Sequence, residues 1–373
     1  MKYLNPALLC RSITDVAGFD LENNNIFGSS YLVYQNGKVI LKKHFGVKNP
    51  ESGENVDDST IYRLASMTKP ISAVAALILC ERGLLSLEDK VAKYIPSFEN
   101  IHVVTPEGED LGIVKNPPTV KHLLTHTSGI GSTKNPRLDD NARDSIAGMT
   151  ELFVSAGLDF EPCSMQAYSG IAAFDVLGHI IEIVSGIPYG EFVRREIFQP
   201  CDMRDATFEP TDGQWQRIIT MHARVDDKNA VGNTTEGCVF ESFPCTHNLA
   251  GAGLASTLDD YAKFAKMLLD GGVYNGKRIL SEGNIRLMST PHASEDIMHG
   301  NERWGLGVRV ITSENYGALP VGTFGWSGAY GSHFWVDPVN KIFAVFMKNS
   351  RFDGGSANKS AVRFEKAVFD SLE

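Results

Sequence analysis

The sequence lacks the features that mark membrane-spanning, repetitive and nucleic-acid-binding proteins. No stretch approaches the ~20 consecutive apolar residues of a membrane-spanning helix, and we find no internal repeat or low-complexity segment. Acidic residues are more numerous than basic ones: the chain has 45 aspartates and glutamates and 35 lysines and arginines, so its formal net charge is −10 at pH 7. This balance argues against nucleic acid or an anionic membrane surface as the main partner.

Cysteine is sparse and lacks the spacing of redox or metal sites. The six cysteines form no C-x-x-C pair, and Cys238 and Cys245 have no histidines nearby at metal-ligand intervals. Cys80 falls within an apolar helical run, which is typical of a buried free thiol. These observations favour a reducing compartment.

The N-terminus does not match a secretory signal. The apolar stretch at residues 3–10 is too short and too interrupted, and Leu9 before Cys10 is too bulky for a lipoprotein cleavage site. We therefore expect a cytoplasmic protein. A periplasmic or secreted location would follow if a leader has been removed.

Strand patterns lie near both ends of the chain, with helical patterns between them. Asn36-Gly37 joins two β-rich stretches, 30–35 and 38–45, and is the strongest short hairpin signal. Further strands are predicted over residues 306–311, 332–337 and 342–348. Apolar residues at helical spacing predict helices over residues 67–82, 171–184, 188–198, 257–269 and 358–372.

This order predicts two lobes, which a chain of 373 residues is long enough to build. One α/β lobe would combine residues 1–92 and 250–373, because strands from both termini can share a sheet. Residues 93–249 would form a mainly helical insertion. We expect the active site at the junction of the two lobes.

Ser66-Met67-Thr68-Lys69 is the strongest candidate for chemistry. Side chains three residues apart stand on one face of a helix, so Lys69 can point at the Ser66 oxygen. Pro70 is tolerated only in a first helical turn, which places Ser66 at a helix N-terminus that favours developing negative charge. A serine hydroxyl needs a neighbouring base near neutral pH, and a lysine or a tyrosine beside it can serve.

Two later stretches supply possible partners. Tyr168, just before the helix at 171–184, is a candidate base when it lies beside a serine and a lysine. Residues 324–329 precede a strand, and their glycines would let a substrate lie close to the backbone. The N–H groups of Ser66 and Ala329 could then form an oxyanion hole.

Together these motifs resemble the penicillin-recognising serine hydrolase superfamily. Its members include class C β-lactamases, D-alanyl-D-alanine carboxypeptidases and related carboxylesterases. The resemblance rests on Ser66-x-x-Lys69, Tyr168-Ser169 and Trp326-Ser327-Gly328 in that order, and on similar phrases at residues 122–129 and 251–257. It implies an α+β fold of the β-lactamase/transpeptidase type, with an antiparallel sheet flanked by helices.

The resemblance also implies the chemistry. Ser66 would attack a carbonyl and form an acyl-enzyme, and Lys69 and Tyr168 would carry the proton to the leaving group and then activate water. Which of the two acts as the general base stays open. No metal or organic cofactor is required, and the expected partner is a small ester or amide substrate. The sequence does not indicate the oligomeric state.

Two departures from the family pattern concern substrate binding. Gly170 stands where the second motif usually has an asparagine that contacts an amide of the substrate. Trp326 stands where the third motif usually has a lysine or histidine near a substrate carboxylate. Losing such a charge-assisted contact costs on the order of 1.5–3 kcal/mol, or roughly ten- to a hundredfold in affinity. With Ser327 and Gly328 completing this binding region, both changes favour neutral acyl esters.

Three functions are therefore open. The favoured one is a carboxylesterase acting on small acyl esters, since a Trp-x-Gly third motif is similar to the esterase branch of the superfamily. A β-lactamase or D-amino-acid peptidase of the same fold is the second. A non-catalytic acyl-binding or sensor protein that retains the pocket is the third. His122 and His126 invite a serine–histidine interpretation, but no acidic residue is placed to orient either one.

Overall fold

An eight-stranded antiparallel sheet is the frame of this structure, a computed structural model that describes residues 2–23, 25–105, 107–131, 145–225, 228–231, 247–293, 296–297 and 300–373. The strand order is β12-β13-β14-β15-β16-β1-β2-β3. The described strands are β1 (Gly28–Gln35), β2 (Lys38–Asn49), β3 (Glu54–Asn55), β4 (Ile61–Arg63), β5 (His102–Val104), β6 (Asp110–Ile113), β7 (His222–Val225), β8 (Lys228–Val231), β9 (Ala255–Thr257), β10 (Val273–Tyr274), β11 (Lys277–Arg278), β12 (Glu302–Trp304), β13 (Arg309–Ile311), β14 (Phe324–Ser327), β15 (His333–Asp337) and β16 (Ile342–Met347).

Helices cover both faces of the sheet and fill the middle of the chain. The described helices are α1 (Pro6–Glu22), α2 (Thr68–Glu81), α3 (Val120–Leu124), α4 (Ile146–Ala156), α5 (Ala172–Ser185), α6 (Tyr189–Val193), α7 (Asp212–Trp215), α8 (Leu258–Leu269), α9 (Glu282–Met288) and α10 (Lys359–Phe369). A 3₁₀ turn, Ala65–Met67, leads directly into α2, and a π-helical turn, Arg194–Phe198, follows α6.

Strands β15, β16 and β1 are buried on both faces, so their side chains divide between two cores. In β1, Tyr31 and Val33 pack with α1 and α10, whereas Leu32 and Tyr34 face the larger core that contains α2, α5 and α8. This alternation follows from the two-residue period of a strand. The register pairs Tyr31 with Phe346 across β16, where their rings stack 4.7 Å apart.

The predicted α+β fold with an antiparallel sheet is confirmed. The hairpin at Asn36-Gly37 is also confirmed, and both residues have the positive φ angles, 48° and 88°, that this turn needs. Thr257, the first residue of the helix predicted over 257–269, is the N-cap of α8 and accepts the Asp260 N–H at 3.2 Å. The lobe boundaries stay a prediction, although every strand of the large sheet comes from the two terminal segments.

Three details differ from the sequence-based expectations. Helix α1 was not predicted, although Asn5, which accepts the Ala7 and Leu8 N–H groups, and Pro6 at the first helical position were its signal. The strand predicted from residue 306 begins only at Arg309, because Gly307 has a φ of 70°. The predicted helix at 188–198 is α6 followed by the π-helical turn.

Some expectations lie outside the described residues, including those on Cys238 and Cys245. The cysteines within the described residues, Cys10, Cys80, Cys163 and Cys201, are free. Among the helices that the structure describes, none alone is long and apolar enough to cross a membrane, and the bent pair Ala172–Ser185 and Tyr189–Phe198 meets that criterion only jointly.

A buried ion pair ties the end of the sheet to the last helix. Lys348, directly after β16 and fully buried, donates to Asp353 at 2.9 Å and to Ser360 at 3.0 Å. Asp353 also accepts the N–H groups of Lys359 and Ser360 at the start of α10. Burial alone would raise the pKa of Asp353, but Lys348 and these donors lower it to about 2.

We expect Asp353 to stabilise the fold in a pH-dependent way. Its pKa is lower in the folded chain than the value of about 3.9 for an unfolded one, so the stabilisation is present above pH ~4 and is lost as the pH falls toward 2. The shift corresponds to about 2 kcal/mol. Urea unfolding of the wild type and of Asp353→Asn should therefore differ more at pH 6 than at pH 3. An equal difference at both values would contradict this assignment.

Candidate active site

The candidate nucleophile lies on a constrained turn. Ser66 is the second residue of the 3₁₀ turn, after Ala65, whose φ is +44°. The Thr68 hydroxyl donates to the Ala65 carbonyl at 2.7 Å and accepts the Leu254 N–H at 3.1 Å, which ties this turn to the strand segment before α8. Because Ser66 is at the start of a helical segment, its own N–H has no partner within the turn. Ser66 is 9% exposed and opens into a cavity.

Lys69 is fully buried one turn along from Ser66 and is surrounded by oxygen atoms. Its Nζ lies 3.2 Å from Ser66 Oγ, 2.5 Å from the Gly170 carbonyl and 2.9 Å from the Gly251 carbonyl. The rings of Tyr168 and Phe174 lie 5.0 Å and 5.3 Å from the same nitrogen. Two of its bonding positions are thus taken by carbonyls, and the third faces Ser66.

Buried side chains hold the Gly251 carbonyl in place. The peptide between Ala250 and Gly251 is clamped from both sides, because Ser72 donates to the Ala250 carbonyl at 2.6 Å and Asp175 accepts the Gly251 N–H at 3.0 Å. Ser72 also lies 2.6 Å from the Tyr189 hydroxyl. Asp175, in the first turn of α5, is fully buried. Among the described contacts, Asp175 is connected to Lys69 through the Gly251 backbone, and its second oxygen lies 3.6 Å from His247 Nε2.

Tyr168 reaches Ser66 from the opposite side. Its hydroxyl donates to Ser66 Oγ at 2.7 Å and accepts the Trp326 Nε1–H at 3.2 Å. The segment before Tyr168 is fixed by the Ala167 N–H, which donates to the His126 carbonyl at 3.0 Å. Ser66 Oγ is thus within hydrogen-bond distance of both an amine and a phenol.

Three aromatic rings form one wall of the cavity. The Trp304 ring lies 4.5 Å from that of Trp326 and is stacked 5.7 Å from that of Tyr168. Trp304, from β12, was not identified from the sequence, because it belongs to none of the motifs. Its position two strands away from Trp326 comes from the sheet order alone.

Gly328 of the third motif and Gly354 before α10 each allow two backbone segments to approach closely. A Cβ on Gly328 would lie 2.3 Å from the Leu64 carbonyl oxygen, next to the nucleophile turn. A Cβ on Gly354 would lie 1.9 Å from the Ala329 carbonyl oxygen. The Gly355 N–H donates to the Gly328 carbonyl at 3.0 Å, so the segment before α10 fixes the strand end that carries Ala329.

The cavity has a volume of about 480 Å³ and contains most of the predicted site residues. Its lining consists of Ser66, Gln166, Ala167, Tyr168, Glu302, Trp304, Trp326, Ser327, Ala329, Gly355 and Ser356. Ser66 and Ala329 therefore share one cavity, as an oxyanion hole requires. Lys69 and Gly170 are not among the lining residues, and the Gly170 carbonyl accepts from Lys69 Nζ.

The two histidines considered as catalytic candidates, His122 and His126, make contacts that hold the local backbone. His126 Nδ1 accepts the Ser169 N–H at 3.1 Å, and burial together with the nearby Lys69 holds its pKa well below the ordinary value. His122 lies in the first turn of α3, accepts the Thr119 N–H at 3.2 Å, and lies 3.0 Å from Cys163 Sγ. Neither ring contacts Ser66 in the hydrogen bonds of the described residues.

Comparison with known proteins agrees with this geometry. The sequence profile of the family described as Beta-lactamase matches residues 16–366. The chain belongs to the beta-lactamase family. The predicted resemblance to the serine hydrolase superfamily and its esterase branch is thereby confirmed, and the protein is a serine hydrolase.

Individual relatives match over most of their length. The chain is 28% identical over 344 residues to Protein Rv1367c of Mycobacterium tuberculosis, covering 86% of this chain and 85% of that protein. It is 26% identical over 392 residues to Esterase EstB of Burkholderia gladioli, covering 95% and 93%. The solved structure of EstCE1, a hydrolase with promiscuous acyltransferase activity, covers 98% of this chain and 99% of its own, with a TM-score of 0.83 at 24% identity, which shows the fold.

We expect Asp175 to support Ser66 through the backbone that holds Lys69. Asp175→Ala leaves the buried Gly251 N–H without an acceptor, a cost of about 1–3 kcal/mol. We expect the reaction of Ser66 with a fluorophosphonate to slow by about tenfold, whereas Asp175→Asn, which keeps an acceptor oxygen, should recover most of the rate.

The matched control is Asp270→Ala, which removes only a surface ion pair with Lys266 and should leave the labelling rate unchanged. A labelling rate for Asp175→Ala equal to that of the control would show that the hydrogen bond between Asp175 and the Gly251 N–H does not affect the reactivity of Ser66.

Proposed function

We propose that the protein is a carboxylesterase that hydrolyses small, uncharged acyl esters through an acyl-enzyme on Ser66. The observation that carries this proposal is the composition of the cavity. Within the described residues, no lysine, arginine or histidine lines it, and its single carboxylate is that of Glu302. A substrate carboxylate would find no cationic partner among these groups.

The two departures from the family pattern support the same conclusion. The Trp326 N–H is already donated to Tyr168, so the residue offers the substrate an apolar ring. A Cβ at Gly170 would meet no atom within 4 Å, so the space of the missing asparagine side chain stays open. EstB of Burkholderia gladioli, the relative that is 26% identical, is an esterase by name, which agrees with an ester substrate.

The geometry supports the following course of reaction. Ser66 Oγ attacks the ester carbonyl carbon, and its proton passes to Tyr168 as the phenolate or to Lys69 as the neutral amine, both within hydrogen-bond distance. The N–H groups of Ser66 and Ala329 stabilise the oxyanion. The C–O bond to the leaving alcohol breaks as that alcohol takes up the proton. Water then attacks the acyl-enzyme carbonyl and gives its proton to the same base, and the acid is released as Ser66 Oγ takes that proton back.

The test is hydrolysis of p-nitrophenyl butyrate beside hydrolysis of the β-lactam nitrocefin. We expect turnover of the ester by the wild type and loss of at least about a thousandfold in kcat for Ser66→Ala, since the nucleophile is absent. Ser155→Ala, on the exposed side of α4, is the matched control and should behave like the wild type.

Three outcomes would contradict the proposal. Faster turnover of nitrocefin than of any ester would indicate a β-lactamase. Unchanged ester hydrolysis by Ser66→Ala would remove Ser66 from the mechanism. A folded protein that neither hydrolyses esters nor reacts with a fluorophosphonate would favour a non-catalytic binder.

A further inference from the structure

A chain of buried polar groups begins and ends at the cavity. Ser327 Oγ, on the cavity wall, lies 2.8 Å from His333 Nδ1. On the other side of the ring, His333 Nε2 lies 2.9 Å from Glu365 Oε1 of α10. Arg309 approaches the same oxygen at 3.3 Å and reaches Glu302 Oε2 at 3.4 Å. Glu302 is again on the cavity wall.

The inner members of this chain are shielded from water. Ser327, His333, Arg309 and Glu365 are each at most 5% exposed, and they come from three neighbouring strands and the C-terminal helix. Burial alone would raise the pKa of the Glu365 carboxyl, but His333 and Arg309 lower it, which keeps the group ionised. An ionised carboxylate can only accept hydrogen bonds.

The ionised Glu365 determines the orientation of the Ser327 hydroxyl. Because Glu365 can only accept, we assign the His333 proton to Nε2, which lies 2.9 Å from Glu365 Oε1, and this leaves Nδ1 as the acceptor toward Ser327. The only proton of Ser327 is then used on Nδ1, so toward a substrate in the cavity that this residue lines, the hydroxyl can act only as an acceptor. Glu302, the other polar end of the chain, also presents acceptor oxygens.

We propose that Ser327 is a specificity-determining residue whose hydroxyl is held as an acceptor by the positioning residues His333 and Glu365, so that the enzyme prefers esters bearing a hydroxyl or amine donor to esters bearing a carboxylate. This inference rests on the proposed esterase function and names its substrate class. Glu302 and Glu365 share one arginine, Arg309, so this side of the cavity offers a substrate carboxylate no unpaired cation among the described residues.

The test compares three thioacetates that differ at one end of the leaving group: S-propyl, S-(2-hydroxyethyl) and S-(2-carboxyethyl) thioacetate. Release of the thiol is followed with a disulfide reagent at pH 8. A second pair, p-nitrophenyl butyrate and p-nitrophenyl 3-hydroxybutyrate, differs by one hydroxyl on the acyl group. We expect a donor-bearing ester of at least one pair to exceed its apolar partner in kcat/KM by about three- to tenfold, and the carboxylate ester to fall below the propyl ester.

The variants are judged by ratios of kcat/KM between esters, because general damage to the structure lowers all rates together. Ser327→Ala should reduce the ratio of kcat/KM between the donor-bearing and the apolar ester to about 1. Ser327→Thr, which keeps the hydroxyl, should retain the ratio of the wild type. Glu365→Gln should also reduce the preference, since a neutral amide no longer fixes the His333 proton on Nε2. Glu99→Gln, on the exposed surface, is the matched control.

The outcomes separate this inference from the proposed function. Equal kcat/KM for the donor and apolar esters of both pairs, with hydrolysis still abolished in Ser66→Ala, would overturn the inference and leave the esterase. A preference lost in Ser327→Ala but kept in Glu365→Gln would overturn the role of His333 and Glu365. Failure to hydrolyse any ester would overturn both proposals.

Discussion

The burial of the Lys69 side chain is the constraint on which the site depends. Burying the amine of a lysine is costly unless its N–H groups find acceptors. Here the Gly170 and Gly251 carbonyls take two of its bonding positions, and Ser66 Oγ is the third contact. The chain must therefore bring two distant backbone segments to the first turn of α2, and the same requirement places Tyr168, two residues before Gly170, beside Ser66.

The fold supplies these segments through rigid elements. The nucleophile turn is fixed by Thr68 and by the close approach of Gly328, and the Gly251 carbonyl is fixed by the clamp on the preceding peptide. The cavity is open between these supports and the aromatic wall of β12 and β14. Ser66, Lys69 and Tyr168 thus come from the start of α2 and the segment before α5, whereas Ala329 and the two tryptophans of the cavity wall come from the strands near the end of the chain.

Much of this arrangement could be predicted because its signals are local. The hairpin at Asn36-Gly37, the cap at Thr257 and the spacing of Ser66 and Lys69 each depend on neighbouring residues. Contacts set by sheet order could not be predicted in this way. Trp304 reaches the cavity because β12 and β14 flank β13, and the chain from Ser327 to Glu365 joins residues that are separate in sequence. Gly170 was expected to affect the substrate, but no local pattern indicates that its carbonyl holds Lys69.

The central claim is that Lys69 and Tyr168 together activate Ser66. The most direct measurement is the rate at which a fluorophosphonate adds to the protein, followed by intact mass and peptide mapping, in the wild type, Lys69→Met and Tyr168→Phe. We predict one adduct, located on Ser66, and a rate lowered by at least about a hundredfold in each variant while the fold is retained. An adduct on another residue, or undiminished labelling of Ser66 in both variants, would contradict the account.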